Sequence, residues 1–206
     1  MGLKSDIKLI IFKKIWRRNN TNNFTVAVST FNYKNVFVGK NTYGSINVKH
    51  YNHEAKLVIG NYVSIADECV FLLGGEHNYK RISSWPFYSR IYRNGHREIQ
   101  EHNNYEINIG DDVWIGYGCT ILSGVTIGRG SIIGARSIVS QNIEPYSVYV
   151  GNKVIKKRFS ESVIEKLQGI DWSTIDHQCS DEYAKYVLTE VNENNVDEIL
   201  AAFCKK

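Results

Sequence analysis

The hydrophobic positions of this chain recur every six residues between residues 107 and 144. Ile109, Ile115, Ile121, Ile127, Ile133 and Val139 keep that spacing without a slip, and glycine follows at 110, 116, 128 and 134. Four residues after each aliphatic stands a small or β-branched side chain: Val113, Cys119, Val125, Ser131 and Ser137, with Ile143 the exception. An α-helix repeats at about 3.6 residues and an amphipathic strand at about two, so neither carries this period. Short strands joined by tight turns do. Stacking the inward aliphatics of one coil on those of the next gives a parallel β-helix. Three hexads close a triangular coil, so 109–126 and 127–144 read as two successive coils.

The pattern predicts more of the same upstream. Segments 36–39, 41–44 and 46–48 form a first coil, and the polar stretch 49–56 interrupts it. Ile59, Ile65 and Phe71 then resume the spacing, with Val63 and Cys69 at the small inward position. From Gly74 the period vanishes until Tyr105. Loops of that length inside a compact domain are uncommon and usually functional. Tyr79, Trp85, Phe87, Tyr88, Tyr92 and Tyr105 in it either wall an acceptor pocket or anchor the loop to the scaffold. Pro145 lacks the N–H that a ladder needs and stops the sixth strand. Beyond it, Ser160 is placed to cap a helix, with Phe159 stapled onto Ile164 and Gly169 ending it. Val196, Ile199, Leu200 and Phe203 mark the apolar face of another helix. Both are predicted to cover an open solenoid end. The expected fold is all-β, in three parts: a basic amphipathic segment over 1–35, a β-helix over 36–159 with a loop insertion at 74–106, and a helical cap over 160–206.

Composition changes this picture little. A net charge of +4 over 206 residues suits an anionic ligand, and no basic stripe with interleaved aromatics argues for nucleic acid. Cys69, Cys119, Cys179 and Cys204 have neither metal-type spacing nor the density of a disulfide framework. Cys69 and Cys119 fall at inward hexad positions, so reduced core thiols and a cytoplasmic protein are expected. Residues 1–18 hold six basic side chains around Ile7, Ile11 and Ile15 on one helical face, with an apolar run too short and interrupted to span a bilayer. Such a helix suits the inner face of an anionic membrane, or equally the open end of the β-helix or a neighbouring subunit.

Three segments in order carry a family resemblance: Leu72-Leu73-Gly74-Gly75-Glu76-His77, Ser83-Ser84-Trp85-Pro86-Phe87, and Gly110-Asp111-Asp112-Val113-Trp114-Ile115-Gly116. Together they resemble the hexapeptide-repeat acyltransferases. The nearest likeness is to the xenobiotic acetyltransferase branch and the related capsular-polysaccharide O-acetyltransferases. The resemblance implies a left-handed parallel β-helix, an exception to the right-handed crossover rule. It also implies a homotrimer, acetyl-CoA held between adjacent subunits as co-substrate, and His77 as catalytic base. Trp114, Gly116 and Ala135 match family positions near the coenzyme. The family's Gly-Asn-Pro-Ala-Lys tail is replaced here by Gly151-Asn152-Lys153-Val154, although the basic cluster of Lys153, Lys156, Lys157 and Arg158 survives. The acceptor side is assigned to Tyr43, Asn78, Trp85 and Phe87.

The chemistry asks for a residue such as His77. Moving an acetyl group from a thioester to a hydroxyl means removing the hydroxyl proton as its oxygen attacks, and imidazole is basic yet largely unprotonated near neutral pH. Backbone N–H groups at glycine-rich turns would hold the oxyanion, and cations near a phosphate make strong charge-assisted bonds. The expected activity is acetyl-CoA-dependent O-acetylation of a sugar hydroxyl in surface-polysaccharide synthesis. An antibiotic acceptor or the amine of an amino sugar fits the same core sequence. A metal hydrolyase on this fold needs three converging histidines, and only His77 adjoins a recognisable coil, so no metal is expected. A non-catalytic scaffold is the remaining reading.

Overall fold

Each hexad folds as one short strand followed by one turn. The computed structural model describes residues 3–52, 54–87, 90–91, 105–175 and 185–203. His53, Tyr88, Tyr92, His96, His102, His177, Cys179 and Cys204 lie outside them. The strands in chain order are β1 (Phe24–Ala27), β2 (Val36–Val38), β3 (Tyr43–Ile46), β4 (Val48–His50), β5 (Leu57–Ile59), β6 (Ser64–Ile65) and β7 (Val70–Leu73). After the long loop come β8 (Ile107–Ile109), β9 (Trp114–Ile115), β10 (Thr120–Ile121), β11 (Thr126–Ile127), β12 (Ile132–Ile133), β13 (Ile138–Val139), β14 (Ser147–Val150) and β15 (Lys153–Lys157). They sort into three sheets: a first face β11-β8-β5-β2, a second face β1-β3-β6-β9-β12-β14-β15 and a third face β13-β10-β7-β4. From β2 to β13 the chain visits the faces in that order, one strand each, as a parallel β-helix must. Every pair is parallel except the β14–β15 hairpin.

The register explains the period. Ile59 pairs with Ile109 and Ile109 with Ile127 on the first face; Ile65, Ile115 and Ile133 align on the second; Phe71, Ile121 and Val139 on the third. Ile115, Ile121, Ile127 and Ile133 have 0% exposure. Burying such a side chain completely contributes roughly 1.5–3 kcal/mol, so the inward column holds the stack together. Cys69 and Cys119 sit in it as free buried thiols. The side chain of Cys119 and burial push the Cys69 thiol well up, keeping it protonated.

The glycines that follow Ile109, Ile115, Ile127 and Ile133 have their own cause. At the corner between first and second faces, a Cβ on Gly110 would meet Arg129 N at 2.6 Å, and one on Gly128 would meet Pro145 N at 2.4 Å. Coil-to-coil approach excludes a side chain there. The left-handed backbone lies two residues further on, at Tyr62, Asp112, Gly130 and Tyr146.

Four features differ from the sequence expectation. The stack starts below residue 36, because β1 pairs in parallel with β3. The last coil is two residues short: Ile127 bridges to Ile143 and Ile133 pairs with Tyr149, whose buried ring closes the core. Pro145 occupies the turn between the Ile143 bridge and β14. α1 (Leu3–Asn19) does cover the lower open end, but through Phe12 and Trp16 rather than Ile7 and Ile11. Both rings lie edge-on to Phe31, at 4.9 and 5.3 Å between centroids. Trp16 Nε1 donates to Thr25 Oγ1 at 3.1 Å.

The fourth concerns the tail. α2 (Glu161–Leu167) and α3 (Val196–Phe203) pack on each other and on Tyr62, Tyr146 and Phe159. They therefore lie against the corner between first and second faces, not across an open end. Arg129 Nη1 donates to the carbonyls of Gln168 and Ile170, Tyr62 Oη to that of Ile175, and Lys40 Nζ to those of Ser173 and Ile175. The tail is a strap running down the coils. Ser160 occupies the N-cap position of α2 but makes no side-chain cap; its hydroxyl donates to Glu193 at 2.7 Å instead.

Candidate active site

The loop that carries His77 leaves the coil at the corner between third and first faces. Gly74 and Gly75 both have positive φ (80° and 103°), which turns the chain sharply away from β7. A Cβ on Gly74 would meet Asn52 Cβ at 2.7 Å, and one on Gly75 would meet the Tyr51 ring at 2.8 Å. The polar stretch 49–56 is thus the buttress of this loop: the N–H groups of Tyr51 and Asn52 both donate to Leu73 O, each at 2.9 Å. A second support comes from the next coil. Ser123 Oγ accepts from Gly74 N–H at 2.8 Å and has Leu72 O at 3.0 Å and Glu76 Oε1 at 2.6 Å as acceptors for its single proton. Sequence reading missed Ser123. The available signal was that the glycine rule fails at Leu122, the residue before it.

His77 is exposed, and its Nδ1 stands 2.6 Å from Ser84 O. A carbonyl oxygen only accepts, so Nδ1 carries the proton and the neutral ring presents Nε2 as an acceptor. This is the tautomer a general base requires. Beyond Ser84, Trp85 and Phe87 form an edge-to-face pair with centroids 4.7 Å apart, 47% and 44% exposed. The two half-exposed rings follow directly on the residue whose carbonyl holds His77. Asn78 Oδ1 accepts from Lys80 N–H at 2.9 Å, so that oxygen shapes the loop.

The residues that the family resemblance assigns to the coenzyme lie elsewhere on the prism. Phe24, Tyr43, Ser64, Trp114, Ile132 and Val148 are successive partners across the second face, pointing outward. Phe24, Tyr43 and Trp114 are 67%, 53% and 54% exposed. Gly116 follows Trp114 at the corner between second and third faces, where a Cβ would come within 2.7 Å of Ala135 N. Gly116 N–H donates to Ile133 O, and Gly134 N–H to Tyr149 O. The corner therefore continues through Ala135 to the hairpin turn that bears Lys153. Trp114, Gly116, Ala135 and Lys153 form one strip. Tyr43 shares the face of Trp114, and His77, Trp85, Phe87 and Asn78 occupy a different corner. Among the described residues, one chain does not bring the two groups together.

The basic run also divides. Lys153 pairs with Val150 at one end of the hairpin, and Lys157 with Ser147 at the other. Lys157 Nζ donates to Pro145 O at 3.0 Å. Arg158 is held inside the chain: Nη1 reaches Gly130 O at 2.6 Å and Asp112 Oδ2 at 3.3 Å, and its guanidinium lies 5.1 Å from the Phe159 ring centroid. Burial pushes the Asp112 carboxyl up, and the Arg158 cation opposes that. This fastens the strap to the corner. Among the described residues no cluster of three or more His, Cys, Asp or Glu side chains is placed to hold a metal.

Comparison with known proteins agrees with the coil geometry. Residues 106–141 match the family model of the bacterial transferase hexapeptide (six repeats). A probable macrolide acetyltransferase of Lysinibacillus sphaericus is 41% identical over 125 residues, which are 57% of this chain and 68% of that protein. A chloramphenicol acetyltransferase of Klebsiella aerogenes is 37% identical over 57% of this chain, and the match spans only 59% of the relative's length. Among solved structures, a hexapeptide-repeat acetyltransferase from Vibrio cholerae O1 biovar eltor, complexed with acetyl coenzyme A, superposes with a TM-score of 0.52 at 25% identity. That likeness covers 71% of this chain and 76% of the other.

Proposed function

Because the chain belongs to the bacterial hexapeptide-repeat transferases, whose coils form the left-handed parallel β-helix, we propose that it transfers acetyl from acetyl-CoA to a hydroxyl group, with His77 as general base. The observation that carries the proposal is the Nδ1–Ser84 bond, which leaves Nε2 free to accept a proton. In this reading Nε2 takes the acceptor's hydroxyl proton while the oxygen attacks the thioester carbonyl. The tetrahedral intermediate then expels the coenzyme thiolate, which recovers the proton from the imidazolium. Trp85 and Phe87 wall the acceptor. Trp114, Gly116, Ala135 and Lys153 face the coenzyme.

The reading requires more than one copy, since the base and the coenzyme strip sit at different corners. A homotrimer with each site at a seam joins them, and the exposed row of Phe24, Tyr43 and Trp114 gives the seam an apolar surface. The acceptor is a sugar hydroxyl of a surface-polysaccharide precursor. The names of the macrolide and chloramphenicol acetyltransferase relatives favour a second reading, an antibiotic hydroxyl. Coenzyme A release with sugar nucleotides, chloramphenicol and a macrolide as acceptors separates the two.

His77→Ala tests the base. Turnover should fall by roughly 10²–10⁴, the usual worth of a positioned general base, with the Michaelis constant for acetyl-CoA nearly unchanged. The acid limb of the rate–pH profile should vanish in the variant. Sedimentation equilibrium should give a trimer for both proteins. A variant of unchanged mass that keeps full turnover removes His77 from the mechanism; a monomeric wild type removes the seam.

A further inference from the structure

We propose that the outward face of α1 docks on an anionic lipid membrane, through Ile7, Ile10 and Ile11 set among Lys4, Lys14 and Arg18. α1 has two faces with different fates. Phe12 and Trp16 are buried, at 9% and 1% exposure, and plug the lower end of the coil. At about 100° per residue, Ile7, Ile10 and Ile11 fall on the opposite side of the helix. They are 49%, 56% and 54% exposed. Lys14 and Arg18 lie within the same sector, and Lys4 beside it. Asp6 is the only acid in the helix. Arg17 is engaged elsewhere, donating to the carbonyls of Asn23 and Thr25. The remaining basic side chains are exposed.

The charge selects the occupant. A face that interleaves isoleucine with lysine and arginine suits the boundary between headgroup and acyl chain, where apolar burial and attraction to anionic lipid act together. A second copy of the same face would set cation against cation. Three half-exposed isoleucines also fall far short of the roughly 800 Å² per partner that a stable interface buries. No described helix is long and apolar enough to cross a membrane, so α1 lies in the surface plane. The tight anchorage of Phe12 and Trp16 would fix the coil stack relative to that plane.

The test is co-sedimentation of the full chain with vesicles. Vesicles of phosphatidylglycerol mixed with phosphatidylcholine are compared with phosphatidylcholine alone. At low ionic strength the protein should partition at least tenfold more strongly onto the anionic vesicles. That excess should disappear near 1 M salt, where the screening length is only about 3 Å. The Ile7→Ser/Ile10→Ser/Ile11→Ser variant should lose the excess while keeping the wild-type thermal melt, because these side chains face away from the core. Ile10→Ser alone repeats the comparison with a smaller loss. Equal partition onto both vesicle types overturns the proposal, as does triple-serine or Ile10→Ser binding equal to wild type. A concentration-dependent mass without vesicles, abolished by the triple variant and accompanied by no lipid binding, assigns the face to a second copy instead.

Discussion

Replacing Arg158 by methionine separates a structural cation from a coenzyme-binding one. The substitution keeps the apolar stem over Phe159 and removes the charge. It deletes the 2.6 Å bond to Gly130 O and the 3.3 Å pair with Asp112, and weakens the contact with the Phe159 ring. Side-chain exposures of 28% and 34% put the pair between two regimes. Exposed ion pairs contribute about 0–1 kcal/mol, and breaking a buried one costs roughly 3–5 kcal/mol. An intermediate loss of about 2 kcal/mol follows, and for a chain of this size that lowers Tm by about 4–8 °C. The pH dependence has a definite sign. Burial already holds the Asp112 carboxyl above its ordinary value, and the Arg158 cation opposes that rise. Without Arg158 the folded carboxyl binds its proton more tightly still. Its unfavourable contribution is then full at pH 7 and fades as pH falls through that raised value towards the ordinary carboxylate range near 4. The deficit in Tm, read by circular dichroism, should therefore be larger at pH 7 than at pH 5. The Michaelis constant for acetyl-CoA should stay within severalfold of wild type, while Lys153→Gln, on the coenzyme strip, should raise it, less so at high salt. An Arg158→Met variant with unchanged Tm and a tenfold higher Michaelis constant would refute this assignment.

Two further outcomes follow from the geometry around the loop and the corners. Ser123→Ala removes the acceptor of Gly74 N–H and a support of Glu76. It should lower turnover by about tenfold with little change in the constant for acetyl-CoA, and an unaltered turnover would show that Gly74, Gly75 and the 49–56 buttress suffice. Gly128→Ala forces a Cβ to within 2.4 Å of Pro145 N, so it should destabilise by roughly 1–3 kcal/mol, the range for overpacking, as measured by urea denaturation. A midpoint equal to wild type would mean the corner yields at no cost.

The coil interior was legible because a stacked solenoid repeats one environment, and Ile109 through Val139 report it six residues at a time. His77 was singled out by its motif, while its tautomer is set by Ser84 O, which no sequence pattern shows. What escaped has local causes. β1 pairs at the edge of the second face with Thr25 and Ala27 as its inward residues, so it gave no six-residue aliphatic signal. Arg158 reads as one more basic residue in a run until Asp112, some forty residues earlier, is seen beneath it. Non-glycine residues such as Tyr62 and Asp112 take the left-handed corners, so glycine placement alone could not locate the turns. The facing of α1 stayed open in the sequence because isoleucine and tryptophan are both apolar, and only the shape of the coil end selects Phe12 and Trp16.

The strap has a consequence for how the chain reaches its final state. In a plain solenoid each coil touches only its neighbours, and the array can fray from either end or grow one repeat at a time. Here Lys40, in the first full coil, is tied to the carbonyls of Ser173 and Ile175, across 133 and 135 residues of sequence. Arg129 and Arg158 tie the later coils to the same segment. A ribosome that has released only the repeats has therefore made a stack without its longest-range closure. Once the tail docks, loss of the lowest coil also unseats the segment that holds the uppermost ones, so amide exchange should show top and bottom opening as one unit instead of as a ladder of separate steps.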